Sequence, residues 1–338
     1  MKCLQSKKGW WEPYDRLLIA TGALPFCPRA PGYEARGIYG LHSLQSGITV
    51  RNAVDTEQPK KAVVVGGGYI GLEMAEALVM RGLDVSLVDR GVQVMNTLDP
   101  DMGSLVSDAL VEAGVNLYRE EALEAFEVAD GRVKAVVTDK RTLPADIVIL
   151  GLGVRPNTEL ADKAGIPLGV RNAIRVNDRM RTAIDGIWAA GDCVESFHLG
   201  SRRPVNIALG TIANKQGRVA GINLGGGYAT FPGVVGTAAS KICKWEVART
   251  GLQEHEIKAI GLEHVAAKIE STTRASYYPN AGPITVKALA EKGSGRLLGA
   301  QIVGIEGAAK RIDIFATALH AGMSVQEMIN LDLSYAPP

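Results

Sequence analysis

Three glycines and one acid have the types and spacing that suit a bound dinucleotide. Residues 66–71 read GGGYIG, which places Gly66, Gly68 and Gly71 at GxGxxG spacing. In such a motif the first glycine permits a tight turn, the second lets a pyrophosphate approach the backbone, and the third packs a helix against a strand. Asp89 follows 18 residues after Gly71, where an acid can accept hydrogen bonds from ribose hydroxyls. The spacing alone is weak evidence for a dinucleotide site. The flanking sequence decides whether such a site is predicted.

The flanking sequence predicts a β-strand, a helix and a second strand in the required order. Residues 62–65 and 85–88 are apolar runs typical of buried strands, and apolar residues recur at helical spacing after Gly71. The helix would begin at the glycines and direct its positive end at the phosphates. This setting favours a dinucleotide site over a merely structural glycine-rich turn. A helix over 101–114, a strand at 116–118, a hairpin around Asp130-Gly131 and a strand at 146–150 complete a small α/β domain.

Two further strands end in small residues on either side of this domain. One is LLIATG at 17–22 and the other is IWAAGD at 187–192. Small residues at the carboxyl end of a strand allow a ligand to approach the backbone. Asp192 could instead cap the next segment. The arrangement predicts one domain that is interrupted by the inserted nucleotide domain.

The carboxyl third has a different layout, which predicts a separate α+β domain. Strands are expected at 245–248, 264–269, 284–290 and 297–303, and helices at 250–261 and 307–321. A last helix should open with the capping box Ser324-Val-Gln-Glu327.

Composition excludes several classes of protein. The 338 residues carry a net charge of +1, so no nucleic acid or anionic membrane is expected as a partner. No run of about 18 apolar residues could span a bilayer, and the amino terminus lacks the apolar core of a secretory signal. The cysteines Cys3, Cys27, Cys193 and Cys243 have no metal-ligand spacing, so no metal is expected. A cytoplasmic location is therefore the expectation.

The order of the motifs resembles the flavin-dependent pyridine nucleotide–disulfide oxidoreductases. The matching motifs are ATG at 20–22, GGGYIGLE at 66–73, GVRPN at 153–157 and AAGDC at 189–193. The resemblance implies an α/β fold with two nested Rossmann-like nucleotide-binding domains, the FAD one incomplete, plus an α+β C-terminal dimerisation domain. The implied segments are 1–57 and 153–227 for the FAD domain, 58–152 for the NAD(P)H domain and 228–338 for the dimerisation domain.

The resemblance also implies which residues bind the cofactors, FAD and NADH or NADPH. The NAD(P)H set is Gly66, Gly68, Tyr69, Ile70, Gly71, Glu73, Asp89, Arg90 and Gly153, and the FAD set is Ala20, Thr21, Gly22, Gly191, Asp192, Gly210 and Thr211. Asp89 should favour NADH by repelling a 2′-phosphate, although Arg90 could pair with that phosphate. Tyr69 is expected to cover the flavin and swing aside for NAD(P)H, or else only to pack in a seam between domains.

Three segments resemble the coenzyme A-disulfide reductase and NADH oxidase branch. They are SYYPNAGPITVK at 276–287, GIEGAAKRIDIFATAL at 304–319 and LDLSYAPP at 331–338. Tyr277 and Tyr335 match active-site tyrosines of that branch, and the alternative is that both pack at an interface. The five histidines lie in no matching context, so they are interpreted as surface or core residues.

The expected activity is reduction of a disulfide, such as coenzyme A disulfide, by NAD(P)H through FAD and a cysteine, in a homodimer. One alternative is an NADH oxidase or peroxidase with oxygen or peroxide as acceptor. Another is a non-catalytic nucleotide-binding dimerisation module. The family's leading GxGxxG and its redox cysteine have no match in this sequence, so the chain is expected to be a fragment that holds FAD weakly.

Overall fold

The structure is a computed structural model that describes residues 3–5 and 8–335. Its strands are β1 (Cys3–Gln5), β2 (Trp11–Pro13), β3 (Leu17–Ile19), β4 (Ala23–Pro25), β5 (Ile38–Gly40), β6 (Lys61–Val65), β7 (Asp84–Asp89), β8 (Asn116–Arg119), β9 (Leu123–Ala129), β10 (Arg132–Thr138), β11 (Thr142–Pro144), β12 (Ile147–Leu150), β13 (Val154–Pro156), β14 (Ile187–Ala189), β15 (Ser196–Phe197), β16 (Pro204–Val205), β17 (Ala238–Ile242), β18 (Trp245–Gly251), β19 (His264–Thr272), β20 (Pro283–Glu291) and β21 (Leu297–Gly304). Its α-helices are α1 (Leu44–Glu57), α2 (Tyr69–Met80), α3 (Pro100–Glu112), α4 (Glu159–Lys163), α5 (Gly210–Leu224), α6 (Glu254–Ala259), α7 (Ala308–Ala321) and α8 (Val325–Ile329).

The chain divides into two compact units. The first unit combines the residues up to Leu24 with Val154–Gly236. The second unit combines Pro25–Gly153 with the residues from Thr237 onward. Within the described residues, no helix combines the length and the apolar composition needed to cross a membrane.

In the first unit, the two strands predicted on either side of the nucleotide domain pair with each other. β3 lies parallel to β14, with Leu17 opposite Ile187 and Ile19 opposite Ala189. These side chains share a small buried core with Cys193. The pairing confirms that segments far apart in sequence form one structure.

In the second unit, a five-stranded parallel sheet holds the glycine motif. The strand order is β5-β12-β6-β7-β8, and β6 and β12 are almost wholly buried. Continuous apolar runs such as AVVV at 62–65 form central strands because helices or loops cover both faces of a parallel sheet. The predicted strands and helices from 61 to 150 are confirmed. β5 also joins this sheet, although it precedes the predicted domain boundary at residue 58.

The predicted hairpin forms at Asp130-Gly131. β9 and β10 are antiparallel across this turn, and both turn residues have positive φ, +53° and +71°. Such a turn matches the twist of the flanking strands.

The carboxyl third forms an antiparallel sheet with strand order β17-β18-β21-β20-β19. The predicted strands and the helices α7 and α8 are confirmed, and the capping box of α8 joins Ser324 and Glu327. The helix predicted over 250–261 is shorter, Glu254–Ala259, because β18 continues to Gly251. β17 was not predicted. Ile242, Val247 and Val303 of this sheet lie in the same hydrophobic core as Leu72 and Met102 of the nucleotide domain. The two parts of the second unit are therefore packed together.

Candidate nucleotide-binding site

The turn after β6 has room only for glycine at two positions. Gly66 has a φ of +106°, and a β-carbon there would lie 2.5 Å from the carbonyl oxygen of Gly151. A β-carbon on Gly71 would lie 1.8 Å from the carbonyl oxygen of Gly66. Both contacts are impossible for a side chain, so the glycines allow α2 to begin directly against the end of β6.

The amino terminus of α2 offers hydrogen-bond donors without a side chain to satisfy them. Gly68 is the N-cap residue, and no side chain among the described residues caps the helix. The first N–H groups of a helix lack partners within the helix and carry partial positive charge. A β-carbon on exposed Gly68 would meet nothing closer than 4.0 Å, so the space in front of the donors is open. These residues fit the pyrophosphate of a dinucleotide.

The Asp89 carboxylate fixes the glycine turn to the loop that follows β7. Its Oδ2 accepts a hydrogen bond of 2.6 Å from the N–H of Gly67, and its Oδ1 accepts one of 2.6 Å from the N–H of Gly91. The residue is 8% exposed. Short bonds of this kind to a charged acceptor are strong. Its predicted contact with a ribose stays a prediction.

The loop at 91–98, which the sequence analysis missed, supports the turn from behind. The N–H of Met95 donates to the carbonyl of Gly67 at 2.8 Å. The side chain of Val94 packs so closely on Gly67 that a β-carbon there would lie 2.7 Å from it. The hydroxyl of Thr97 donates to the phenol oxygen of Tyr69 at 3.3 Å.

The remaining residues of the predicted NAD(P)H set lie around the same turn. Tyr69 is half-buried against the core of the second unit, and Ile70 is half-buried beside it in the first turn of α2. Glu73 accepts a hydrogen bond from the hydroxyl of Ser240 at 2.7 Å. Arg90 is exposed and makes no hydrogen bond or ion pair with any residue that the structure describes. The gate role of Tyr69 stays a prediction.

Gly153 lies shortly after the end of β12, the strand that pairs with β6 in the same sheet. It follows β12 in the chain, has a φ of +82°, and would meet nothing within 4 Å if it carried a β-carbon. Gly151, two residues earlier, is more constrained, since its β-carbon would lie 2.8 Å from the α-carbon of Gly71. No sequence motif indicates this close approach of Gly151 to Gly71.

In the first unit, the predicted FAD residues form two turns held by hydrogen bonds. The hydroxyl of Thr21 donates to the carbonyl of Asn157 at 2.6 Å, and the side-chain amide of Asn157 donates to the carbonyl of Thr21 at 3.2 Å. Ala20 and Gly22 flank this contact. Gly191, with a φ of +88°, donates its N–H to the side-chain oxygen of buried Gln216 at 3.0 Å.

The start of α5 offers further donors in the first unit. In the part of the chain that the structure describes, no side chain caps this helix at Leu209, and Gly210 and Thr211 are exposed. Unpartnered N–H groups there fit the acceptor atoms of a flavin, and Asp192 is half-buried after Gly191. Residues 3–5 and 8–335 contain one GxGxxG turn, the one at Gly66–Gly71, and no second turn of this kind for an FAD pyrophosphate.

The two predicted active-site tyrosines are exposed. Tyr277, in the connection between β19 and β20, is 78% exposed, and Tyr335 is 91% exposed. Neither side chain is therefore enclosed by the residues that the structure describes. Residues 336–338, the end of the LDLSYAPP motif, lie outside the described residues.

Comparison with known proteins agrees with this geometry. The pyridine nucleotide-disulphide oxidoreductase family matches residues 2–217, and the dimerisation domain of that family matches residues 237–338. The chain is 38% identical to an NADH oxidase of Methanocaldococcus jannaschii, over 100% of this chain and 75% of the relative. It is 37% identical to an NAD(P)H sulfur oxidoreductase (CoA-dependent) of Pyrococcus abyssi, over 96% of this chain and 72% of the relative.

A solved structure has the same fold. It is an NAD-dependent persulfide reductase from A. fulgidus, which superimposes with a TM-score of 0.95 at 41% identity and covers 99% of this chain. This chain spans 63% of that protein.

Proposed function

Because the chain belongs to the pyridine nucleotide-disulphide oxidoreductase family, we propose that it is part of an FAD-dependent NAD(P)H oxidoreductase that reduces a disulfide or persulfide. The observation that carries the proposal is the turn at Gly66–Gly71. Gly66 and Gly71 of this turn cannot carry side chains, and the helix behind it presents unpartnered N–H groups to open space. The match to the family supports FAD and NAD(P)H as the cofactors.

The residues of the chain have distinct tasks in this proposal. The N–H groups at the start of α2 hold the pyrophosphate of NAD(P)H, and Asp89 keeps Gly67 in place beneath it. Thr21, Asp192 and the start of α5 hold FAD. When bound, the two cofactors supply hydride transfer and electron storage. Cys193 is not the reducing thiol, because it is buried and its sulfur contacts the carbonyl of Ala190 at 3.4 Å.

We propose coenzyme A disulfide, or a related persulfide, as the substrate. The segments containing Tyr277 and Tyr335 resemble the coenzyme A-disulfide reductase branch, and the Pyrococcus relative is described as CoA-dependent. A phenol can donate a hydrogen bond to a thiolate without carrying charge itself. Because both tyrosines are exposed, they are available to a second copy of the chain, and the dimerisation domain supports a homodimer.

A second candidate is reduction of oxygen, since the Methanocaldococcus relative is named an NADH oxidase. Both candidates use the same nucleotide turn and differ only in the acceptor. Oxidation of NADH is measured with FAD supplied, in the presence of coenzyme A disulfide, polysulfide or oxygen alone. Faster oxidation with the sulfur substrates supports the first candidate, and a rate that depends only on oxygen supports the second.

Binding of the nicotinamide cofactor is tested without any acceptor. NADH titrated into the protein should bind with one site per chain, as measured by calorimetry. The variant Gly68→Leu should bind it much more weakly, because a leucine fills the open space in front of the donors. Equal binding by both proteins contradicts the proposed site.

A further inference from the structure

A buried lysine of the C-terminal sheet joins three carboxylates behind the nucleotide turn. Lys287 lies on β20 with 4% of its side chain exposed. Its Nζ lies 3.1 Å from Asp99, 2.7 Å from Asp101 and 2.6 Å from Glu254. Burial alone would lower the pKa of this ammonium, but its hydrogen bonds to Asp101, Glu254 and Asp99 outweigh burial and raise the pKa of Lys287. The ammonium is therefore charged at neutral pH.

The register of the C-terminal sheet brings a second side chain to the same acid. Lys287 pairs with Gln301 of β21, so both side chains project from one face of the sheet. The Gln301 amide donates to Oδ2 of Asp99 at 2.7 Å and accepts from the N–H of Asp99 at 2.7 Å. The N–H of Glu254 donates to Oδ1 of Asp99 at 3.0 Å. Asp99, which is 1% exposed, is thus held by β20, β21 and α6 together.

From Asp99 a short chain of contacts leads to the nucleotide turn. Asp99 follows directly after the loop at 91–98. Within that loop, the N–H of Leu98 donates to the carbonyl of Met95 at 2.8 Å, and the N–H of Met95 donates to the carbonyl of Gly67 at 2.8 Å. The position of the turn is therefore tied to Lys287 through Asp99 and the loop.

We propose that Lys287 is a positioning residue for the pyrophosphate of NAD(P)H. By holding Asp99, it fixes the loop at 91–98, and the loop keeps Gly67 and the start of α2 in the arrangement that receives the phosphates. Donors that are already in place bind a ligand without a further cost of ordering. The identity of the ligand rests on the proposed function, whereas the link from Lys287 to the turn rests on the contacts alone.

Removal of the ammonium has a clear physical consequence. Oxygen atoms of Asp99, Asp101 and Glu254 lie within 4.8 Å of one another, and without a cation between them they repel. One carboxyl must then move away or take up a proton. In either case Asp99 is no longer held firmly, and the loop and Gly67 are released with it.

The test compares Lys287→Met with Lys268→Met. Lys268 lies opposite Lys287 in the β19–β20 register, but its side chain is 37% exposed and contacts Glu270, so it is a matched control. Dissociation constants for NADH and for ADP-ribose are measured well below the unfolding temperature of each variant. Hydrogen exchange is followed at the amides of Gly67 and Met95.

For Lys287→Met we expect both ligands to bind more weakly by between about twofold and thirtyfold, the range of coupling through a packed network. ADP-ribose carries the pyrophosphate but no nicotinamide, so an equal loss for both ligands locates the effect at the turn. The amides of Gly67 and Met95 should exchange faster. Lys268→Met should change none of these quantities.

A folded Lys287→Met protein with unchanged dissociation constants and unchanged exchange overturns the proposal, even if it melts at a lower temperature. If that variant does not fold, the combination of Lys287→Met with Asp101→Asn and Glu254→Gln removes the two charges that would repel Asp99. The dissociation constants and the hydrogen exchange of this combination then decide whether Lys287 positions the turn. An unmodified chain that binds neither ligand contradicts the proposed function, and hydrogen exchange then still decides whether Lys287 holds the turn.

Discussion

Replacement of Gly71 by alanine tests the packing of the nucleotide turn most directly. The new methyl would lie 1.8 Å from the carbonyl oxygen of Gly66, whereas a carbon and a carbonyl oxygen approach to about 3.3 Å. The start of α2 must therefore retreat by roughly 1.5 Å. Because the obstructing atom belongs to the backbone, we expect a cost near the upper end of overpacking, about 3 kcal/mol.

This cost has two measurable consequences. For a domain of this size, about 3 kcal/mol lowers the unfolding temperature by roughly 6–12 °C, which thermal circular dichroism detects. The retreat also draws the donors of α2 away from the phosphates, so NADH should bind at least about tenfold more weakly, equivalent to the loss of one good hydrogen bond.

Gly47→Ala is the matched control in the same unit. Gly47 lies within α1, and its β-carbon would make an ordinary contact of 3.7 Å with Leu41. Alanine there should stabilise the protein by about 0.5–1 kcal/mol. If Gly71→Ala melts within about 2 °C of the unmodified protein and binds NADH equally well, the reasoning about the turn is refuted.

Two further substitutions test the carboxylates of the second unit. Asp89→Ala removes both hydrogen bonds that hold the turn, so we expect a loss of about 2 kcal/mol of stability. We also expect weaker binding of NADH and NADPH and a smaller preference for NADH over NADPH. Calorimetry measures the affinities, and tighter NADPH binding by the unmodified protein would contradict the expected preference. Burial opposes ionisation of Asp146, but the N–H groups of Lys61 and Lys60 outweigh it and lower its pKa. Its charge therefore stabilises the fold above its unfolded pKa of about 3.9, and this contribution is lost as the pH falls through the lower folded value. Asp146→Asn should be less stable than the unmodified protein at neutral pH, and this difference in stability should shrink below about pH 4. Thermal unfolding measured against pH gives the difference. A difference that stays constant with pH would disprove the stabilising role of the Asp146 charge.

The sequence predicted the elements that have a local pattern. The run KAVVV, the glycines and the helical spacing after Gly71 act over short distances, so β6, α2 and β7 could be assigned from the chain alone. The hairpin at Asp130-Gly131 follows from turn geometry in the same way. In contrast, β5 has three residues and no distinctive pattern. It joins the sheet because β12, more than a hundred residues later, offers it an edge.

The support of the candidate site could not be predicted, because its contacts join distant parts of the chain. Lys287 and Asp101 are 186 positions apart, and a lysine in an alternating strand is normally interpreted as a solvent-exposed residue. Only the pairing of β20 with β21, and the packing of β21 against α3, place it among the carboxylates. Neither the charge of Lys287 nor its spacing in the sequence reveals this environment.

Asp89 shows how one residue can satisfy the sequence motif and a structural requirement together. The motif assigns its carboxylate to a ribose, whereas in the structure each oxygen already accepts an N–H, from Gly67 and from Gly91. An ionised carboxyl has about four acceptor positions, so these two bonds orient the group and leave capacity for hydroxyls. The acid is therefore needed for the shape of the turn before any ligand arrives. A substitution that changes cofactor preference at this position must also replace the two bonds that hold the loop.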